Sequence, residues 1–282
     1  MTTSTVPPVR WANLGPGSIA RRFVSQLPSC PGASLVAIGS SDPRRAARFA
    51  AEQVPDLTVR TGDYNEILAD PGVDAVYLST VHTTHPTLAI AALEAGKHVL
   101  CEKPLAANHA SVMAMAEVAR RTGRVLLEAF MYRFHPQTRA VLELIADGAV
   151  GEVLHVDASF SFRAGERTGR LFDPATAGGG ILDVGGYPVS YARAILGAAS
   201  GRPVLEPTAV TARGTLGPTG IDEWAIADLT FPGGATASVR TGVTVADPTT
   251  VTVHGSRGTL HLSDPWTLGT EQRVVISTVE GE

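Results

Sequence analysis

The chain has 282 residues, 44% hydrophobic and 18% charged, with a formal net charge of −4. That composition suits one large or two ordinary globular domains and excludes a disordered or fibrous chain. It carries no basic footprint for nucleic acid and no apolar run near the roughly 20 residues a bilayer span needs, while its two distant cysteines, Cys30 and Cys101, build no disulfide framework. With no apolar leader in residues 1–8, the expectation is a soluble, cytoplasmic protein.

The first predicted strand is Val9–Leu14, followed directly by Gly15-Pro16-Gly17-Ser18-Ile19-Ala20. This is the G-x-G-x-x-A form of a dinucleotide fingerprint: a tight turn, a close backbone approach to a pyrophosphate, and a small residue for helix–strand packing. An amphipathic helix over 19–27 and a second strand over 34–38 supply the context such a motif needs. After that strand stand Gly39-Ser40-Ser41-Asp42-Pro43-Arg44-Arg45. Two hydroxyls and two arginines suit a ribose 2′-phosphate, whereas Asp42 could cap the next helix or serve a free ribose diol.

Alternation continues with a helix over 63–69, a strand over 74–80, a helix over 86–95, the strand His98–Cys101, a helix over 108–122 and a strand over 125–128. Strands alternating with helices predict a parallel, doubly wound sheet. His82 and His85 have an HxxH spacing without a third ligand nearby, so no metal is expected; they line the cofactor cleft or cap the helix near Pro86. The strand ending at Cys101 runs into Glu102-Lys103-Pro104, and Pro104 stops it by removing an N–H and biasing Lys103 towards extended backbone. Ligands in open α/β sheets bind beyond the carboxyl ends of strands, so Lys103 is either a solvated loop residue or a catalytic one.

From Gly151 the pattern becomes a half-buried strand over 153–163, a glycine-rich stretch, one helix over 181–196, and β-like runs over 208–215, 223–231, 235–245, 249–255 and 258–262. Runs of strands without helices predict an antiparallel sheet. The expected boundary lies at 150/151. Ahead of the helix, Gly178-Gly179-Gly180 would let a ligand approach the backbone. Asp183 and Tyr187, four residues apart, would share a helix face, although Pro188 complicates that helix. Read plainly, Asp183 is a helix-cap carboxylate and Tyr187 a core phenol.

Together the glycine fingerprint, AGKHVLCEKPLA at 95–106, EAFMYRFHPQ at 128–137, GGGILDVGGYP at 178–188, DEW at 222–224 and the late GSRGTLHL resemble the Gfo/Idh/MocA family of nicotinamide-dependent oxidoreductases. The resemblance covers nearly the whole chain. It implies an α/β fold, with an N-terminal Rossmann domain (1–150) and a C-terminal α+β domain (151–282) whose open, mainly antiparallel sheet makes a homodimer or homotetramer. Relatives continue past the position of Glu282 with a further helix, so the second domain reads as C-terminally short. The implied activity is NADP-dependent hydride transfer with a sugar or cyclic diol; NAD is possible. Alternatives are a nucleotide-sugar 3-ketoreductase and, from another class, a non-catalytic NADPH-binding sensor. Catalysis falls to Lys103, Tyr187 and Asp183, with tyrosine where many members carry histidine and lysine stabilising its phenolate. The cofactor residues implied are Gly15, Gly17, Ser18, Ile19, Ser40, Ser41, Arg44, Arg45, Thr80, His82, His85, Glu102 and Lys103. Arg133, Phe162, Arg163 and Trp224 join Lys103, Asp183 and Tyr187 around the substrate.

Overall fold

The computed structural model describes residues 7–267, 269 and 272–278. The chain divides into two units, one ending at Ala129 and the other beginning at Phe130. That is earlier than the 150/151 boundary expected from the change of periodicity. Residues 130–150 keep a helical pattern like the units before them, yet Phe130, Tyr132, Val141, Ile145 and Val150 are buried in the core of the second unit.

The first unit runs β1 (Val9–Leu14), α1 (Ser18–Gln26), β2 (Ala33–Gly39), α2 (Pro43–Gln53), β3 (Arg60–Gly62), α3 (Tyr64–Leu68), β4 (Ala75–Leu78), α4 (His85–Glu94), β5 (His98–Cys101), α5 (His109–Thr122) and β6 (Leu126–Glu128). Its six strands pair in parallel in the order β3-β2-β1-β4-β5-β6, so the order reverses between β1 and β4. All four residues of β4 are buried, as a strand covered on both faces requires. Helix ends follow local chemistry. Asp63 and Glu66 form a reciprocal capping box on α3, Asn108 caps α5, and Gly123 ends α5 in the left-handed region at φ +64°. β3, an Arg-Thr-Gly tripeptide, is too short and polar to show in the sequence pattern.

The second unit begins with a 3₁₀ turn (Met131–Phe134) and α6 (Pro136–Ala146), then β7 (Val153–Ser161). The predicted helix over 181–196 is two segments: a π-helical turn at Ile181–Gly185 and α7 at Gly186–Ala199. Pro188 lies in the first turn of α7, where its missing N–H is tolerated, and the widened turn before it absorbs the disruption. β8 (Ala209–Leu216), β9 (Asp222–Thr230), β10 (Thr236–Gly242), β11 (Thr250–Gly255), β12 (Gly258–Ser263) and β13 (Val274–Thr278) complete a sheet ordered β13-β12-β11-β7-β10-β9-β8. Its pairings are antiparallel except β7 with β10, which are parallel because the chain passes through α7 between them. Tyr191 and Ile195 of α7 pack into one core with Val156, Ala158, Val251 and Leu260 of the sheet.

Candidate active site

In the first unit, the turn after β1 is built from two glycines with different constraints. Gly15 sits at φ +99°, and a Cβ there would lie 2.7 Å from Thr80 Cγ2 and 2.9 Å from the Ser79 carbonyl carbon. The fold itself demands glycine. The Ser79 hydroxyl donates to Gly15 O at 2.8 Å and holds this turn against the end of β4. Gly17 has ordinary φ, and its Cβ would meet nothing nearer than Ser79 O at 3.9 Å. It N-caps α1 without any side-chain acceptor on the helix amides, beside exposed Ser18 and half-buried Ile19. Uncapped first-turn amides at the strand-order reversal form an anion cradle that fits a dinucleotide's phosphates.

Beyond β2 the expected phosphate contacts divide. Ser40 is fully buried and its hydroxyl accepts from Asp42 N–H at 3.3 Å, so it shapes the turn instead of presenting a side chain. Ser41, Arg44 and Arg45 are exposed. Asp42 caps α2, taking the Arg44 amide at 3.0 Å and its guanidinium at 3.1 Å on each oxygen. The capping alternative for Asp42 is therefore what the structure has, and that hydrogen-bonded guanidinium lowers its carboxyl below the usual range.

The loop carrying Lys103 is fixed from several sides. Tyr77 in β4 donates its hydroxyl to Glu102 at 2.6 Å, and the Glu102 carboxylate also takes the Lys103 amide at 3.3 Å. Leu105 N–H donates to Glu128 of β6 at 2.8 Å, and the Lys103–Pro104 peptide is cis. His85 lies 2.9 Å from Pro104 O through Nδ1 and 3.3 Å from Thr80 O through Nε2. It is fully buried between these two carbonyls, and its single N–H in the neutral ring donates to one of them, which fastens the lysine loop to the end of β4. Burial holds its imidazole below the usual value. His82 is also buried, in the 3₁₀ turn before α4. Among the described residues no group of three or more His, Cys, Asp or Glu side chains is arranged to hold a metal.

In the second unit the glycine triplet has an internal explanation. Gly178 packs against the carbonyls of Arg170 and Leu171, while Gly179, at φ +111°, and Gly180 pack against the Asp222 carboxylate. That carboxylate accepts Ile181 N–H at 2.7 Å. What approaches Gly179 and Gly180 is the chain's own Asp222, from the DEW motif. Burial raises the Asp222 carboxyl above its usual range. The anchored turn carries buried Asp183, whose Oδ1 takes Arg170 Nη1 at 3.3 Å and Nη2 at 3.2 Å. Tyr187 follows, 6% exposed, its ring edge-on to Phe130 at 5.0 Å, Phe160 at 5.1 Å and Trp266 at 5.7 Å.

The other expected substrate residues scatter. Phe162, just past the end of the central strand β7, packs beside buried Phe172, Ile221 and Val243, and Trp224 of β9 lies against Gly242. Arg133 and Arg163 are exposed. Sequence reasoning missed Arg170 and Asp222. Asp222 was visible within DEW, but its pairing with residues some forty positions earlier depends on the sheet.

Residues 9–130 match the family model GFO_IDH_MocA, "Oxidoreductase family, NAD-binding Rossmann fold", and residues 138–261 match "GFO/IDH/MocA C-terminal domain". The chain is 34% identical over 260 residues to trans-1,2-dihydrobenzene-1,2-diol dehydrogenase of Mus musculus, covering 92% of this chain and 75% of that one. Among solved structures it resembles a 3-ketoreductase from Actinomadura kijaniata in complex with NADP and TDP-benzene, at 30% identity and TM-score 0.86, covering 97% and 82%. It also resembles the aldose–aldose oxidoreductase of Caulobacter crescentus complexed with glycerol, at 28% identity and TM-score 0.84, covering 96% and 81%.

Proposed function

The chain belongs to the Gfo/Idh/MocA family of NAD(P)-binding oxidoreductases acting on CH–OH groups, and from that premise we propose that it is an NADP-dependent dehydrogenase or reductase of a sugar or cyclic diol. The observation that carries this reading is the anchored π turn, which presents buried Asp183 one turn before the ring-packed Tyr187. Widened helical turns often occur at functional positions, and this one leads directly into α7.

A nicotinamide cofactor supplies hydride exchange with a carbinol carbon. Gly17, Ser18 and Ile19 would hold its phosphates, and Ser41, Arg44 and Arg45 the 2′-phosphate that favours NADP. Tyr187 gives or takes the proton of the substrate oxygen through its hydroxyl, with a ring that its aromatic neighbours keep from turning. Lys103 is the cationic group of the reaction, on a loop fixed by Tyr77, His85 and Glu128. Asp183 accepts a hydrogen bond from a neighbouring substrate hydroxyl. Positioned acid/base groups of this kind are worth about 10²–10⁴ in rate.

The ketoreductase likeness supports a second reading, reduction of a keto-sugar nucleotide. NADP+ reduction with a panel of aldoses and cyclic diols, and NADPH oxidation with keto-sugars and keto-sugar nucleotides, separates the two. Cofactor binding without turnover of any member would instead identify a sensor.

A further inference from the structure

In the second unit the sheet carries its core on one face, where Val156, Ala158, Val239 and Val253 pack with α6 and α7. The alternate residues of the same strands form the opposite face. β7 is fourth of the seven strands, at the middle of that face. Its His155 and Asp157 are flanked by Thr236, Ser238 and Arg240 of β10 and by Thr252 and His254 of β11. The side chains of His155, Asp157 and His254 are 31%, 39% and 43% exposed, so among the described residues this part of the sheet has no second layer.

Two imidazoles converge there on one carboxylate oxygen. His155 Nε2 lies 3.6 Å and His254 Nε2 3.3 Å from Asp157 Oδ2, and the rings are 6.0 Å apart. His155 Nδ1 is 2.7 Å from Thr236 Oγ1. Facing the cluster from the neighbouring strands are Arg240, Asp228 and His261. Arg240 lies 3.8 Å from Asp157 Oδ1 and donates to Asp247 at 3.2 Å. Asp228 accepts from the Ser238 hydroxyl at 2.6 Å, His261 Nδ1 is 2.9 Å from Thr252 Oγ1, and the register puts Arg213 of β8 on the same face.

We propose that this face joins two copies of the chain and that His155 and His254 make the union acid-labile. A union of subunits through this sheet is expected from the sequence; the cluster adds the condition under which it holds, whatever reaction the enzyme catalyses.

Size and symmetry favour a second copy as the occupant. Seven strands at about 4.8 Å spacing and about 20 Å of strand length cover about 600 Å² in plan, near the roughly 800 Å² per partner of a stable pair. The face carries both signs, Arg213 and Arg240 against Asp157, Asp228 and Asp247, and so complements itself. A two-fold axis that buries most of the face passes near β7 and sets the cluster against its own copy.

Histidine is the side chain that changes charge between about pH 8 and 5. With neutral rings, Asp157 keeps Arg240 as its counter-ion and the imidazoles leave water at little cost. On acidification each copy brings two imidazoliums to one shared carboxylate, and that pair meets the same pair across the axis. Like charges then approach in a drying interface, where a charge is costly. The joined form therefore binds fewer protons than the separate copies, and affinity falls as pH falls. A cluster that served folding alone would show no dependence on protein concentration.

Sedimentation velocity over a dilution series at pH 7.5 and 5.5 tests this. Wild type should be dimeric at pH 7.5, with a Kd about 10–100-fold higher at pH 5.5 and an unchanged circular dichroism spectrum. The His155→Gln/His254→Gln double variant keeps neutral side chains at both positions and should dimerise with the same Kd at both pH values. Thr252→Arg, which sets a bulky cation beside the cluster, should be folded and monomeric at both. A wild type that is monomeric throughout, a wild-type Kd equal at both pH values, a full pH effect in the double variant, or a dimer that survives Thr252→Arg would overturn the proposal.

Discussion

Replacing Gly15 and Gly17 by alanine, one at a time, separates what the fold requires from what the cofactor requires. At Gly15 the backbone is at φ +99° and the new methyl would press on Thr80 Cγ2 and on the Ser79–Thr80 peptide at 2.7–2.9 Å. A sparsely populated backbone region costs about 1–3 kcal/mol and overpacking about 1–3 more. Together, about 2–6 kcal/mol corresponds to a melting temperature lower by about 6–24 °C, at roughly 3–4 °C per kcal/mol for a unit of this size. At Gly17 the φ is −117° and the methyl makes only an ordinary contact, with Ser79 O at 3.9 Å. Stability should stay within about 0.5 kcal/mol of wild type. The methyl would instead stand where a phosphate reaches the first amides of α1, so NADPH affinity should fall about 10–100-fold, or about 1.4–2.7 kcal/mol. Differential scanning fluorimetry reads the first effect and NADPH fluorescence titration the second. A Gly17→Ala protein that melts as early as Gly15→Ala, or that binds NADPH as wild type does, would refute the division.

Cofactor preference should follow the exposed arginines after β2: NADP(H) should bind more tightly than NAD(H) by about 1–3 kcal/mol, and Arg44→Ala or Arg45→Ala should shrink that margin. Equal affinities in wild type would count against it. The His85 clamp should show in stability against pH. Burial holds its imidazole below the usual value, so the unfolded chain takes up the proton first on acidification. Its contribution is then complete above the unfolded value of about 6.5 and is lost as pH falls through that value towards the folded one. Urea midpoints at pH 7.5 and 5.5 should differ more for wild type than for His85→Gln, and identical differences would remove His85 from the explanation.

The first unit was legible because local signals agree there. The fingerprint, the helix stops at Gly96 and Gly123, and the short apolar strands β4 and β5 each point to the same sheet. The second unit was legible as a class but not in detail. The change at Phe130 leaves no mark, since α6 has the same helical composition as the helices before it, and its allegiance is set by long-range packing of Val141 and Ile145. The glycine triplet was read as space for a ligand because spacing shows that something must come close, without showing what. Asp222 fills that space, and only the sheet register brings it there. The same holds for Arg170: the sequence places it thirteen residues from Asp183, and the strapped loop closes that gap to 3.2 Å.

The proposed catalytic roles of Tyr187 and Lys103 are tested most directly by the rates of Tyr187→Phe, Lys103→Met and the double variant. Phenylalanine keeps the ring among Phe130, Phe160 and Trp266 and deletes the hydroxyl. Its melting temperature and NADPH affinity should therefore match wild type while kcat falls by about 10²–10⁴. Lys103→Met should lose a comparable factor, and the double variant should be little slower than the slower single, because groups that act as one unit are not additive. A Tyr187→Phe protein that keeps most of its rate, or losses that multiply in full, would contradict the assignment.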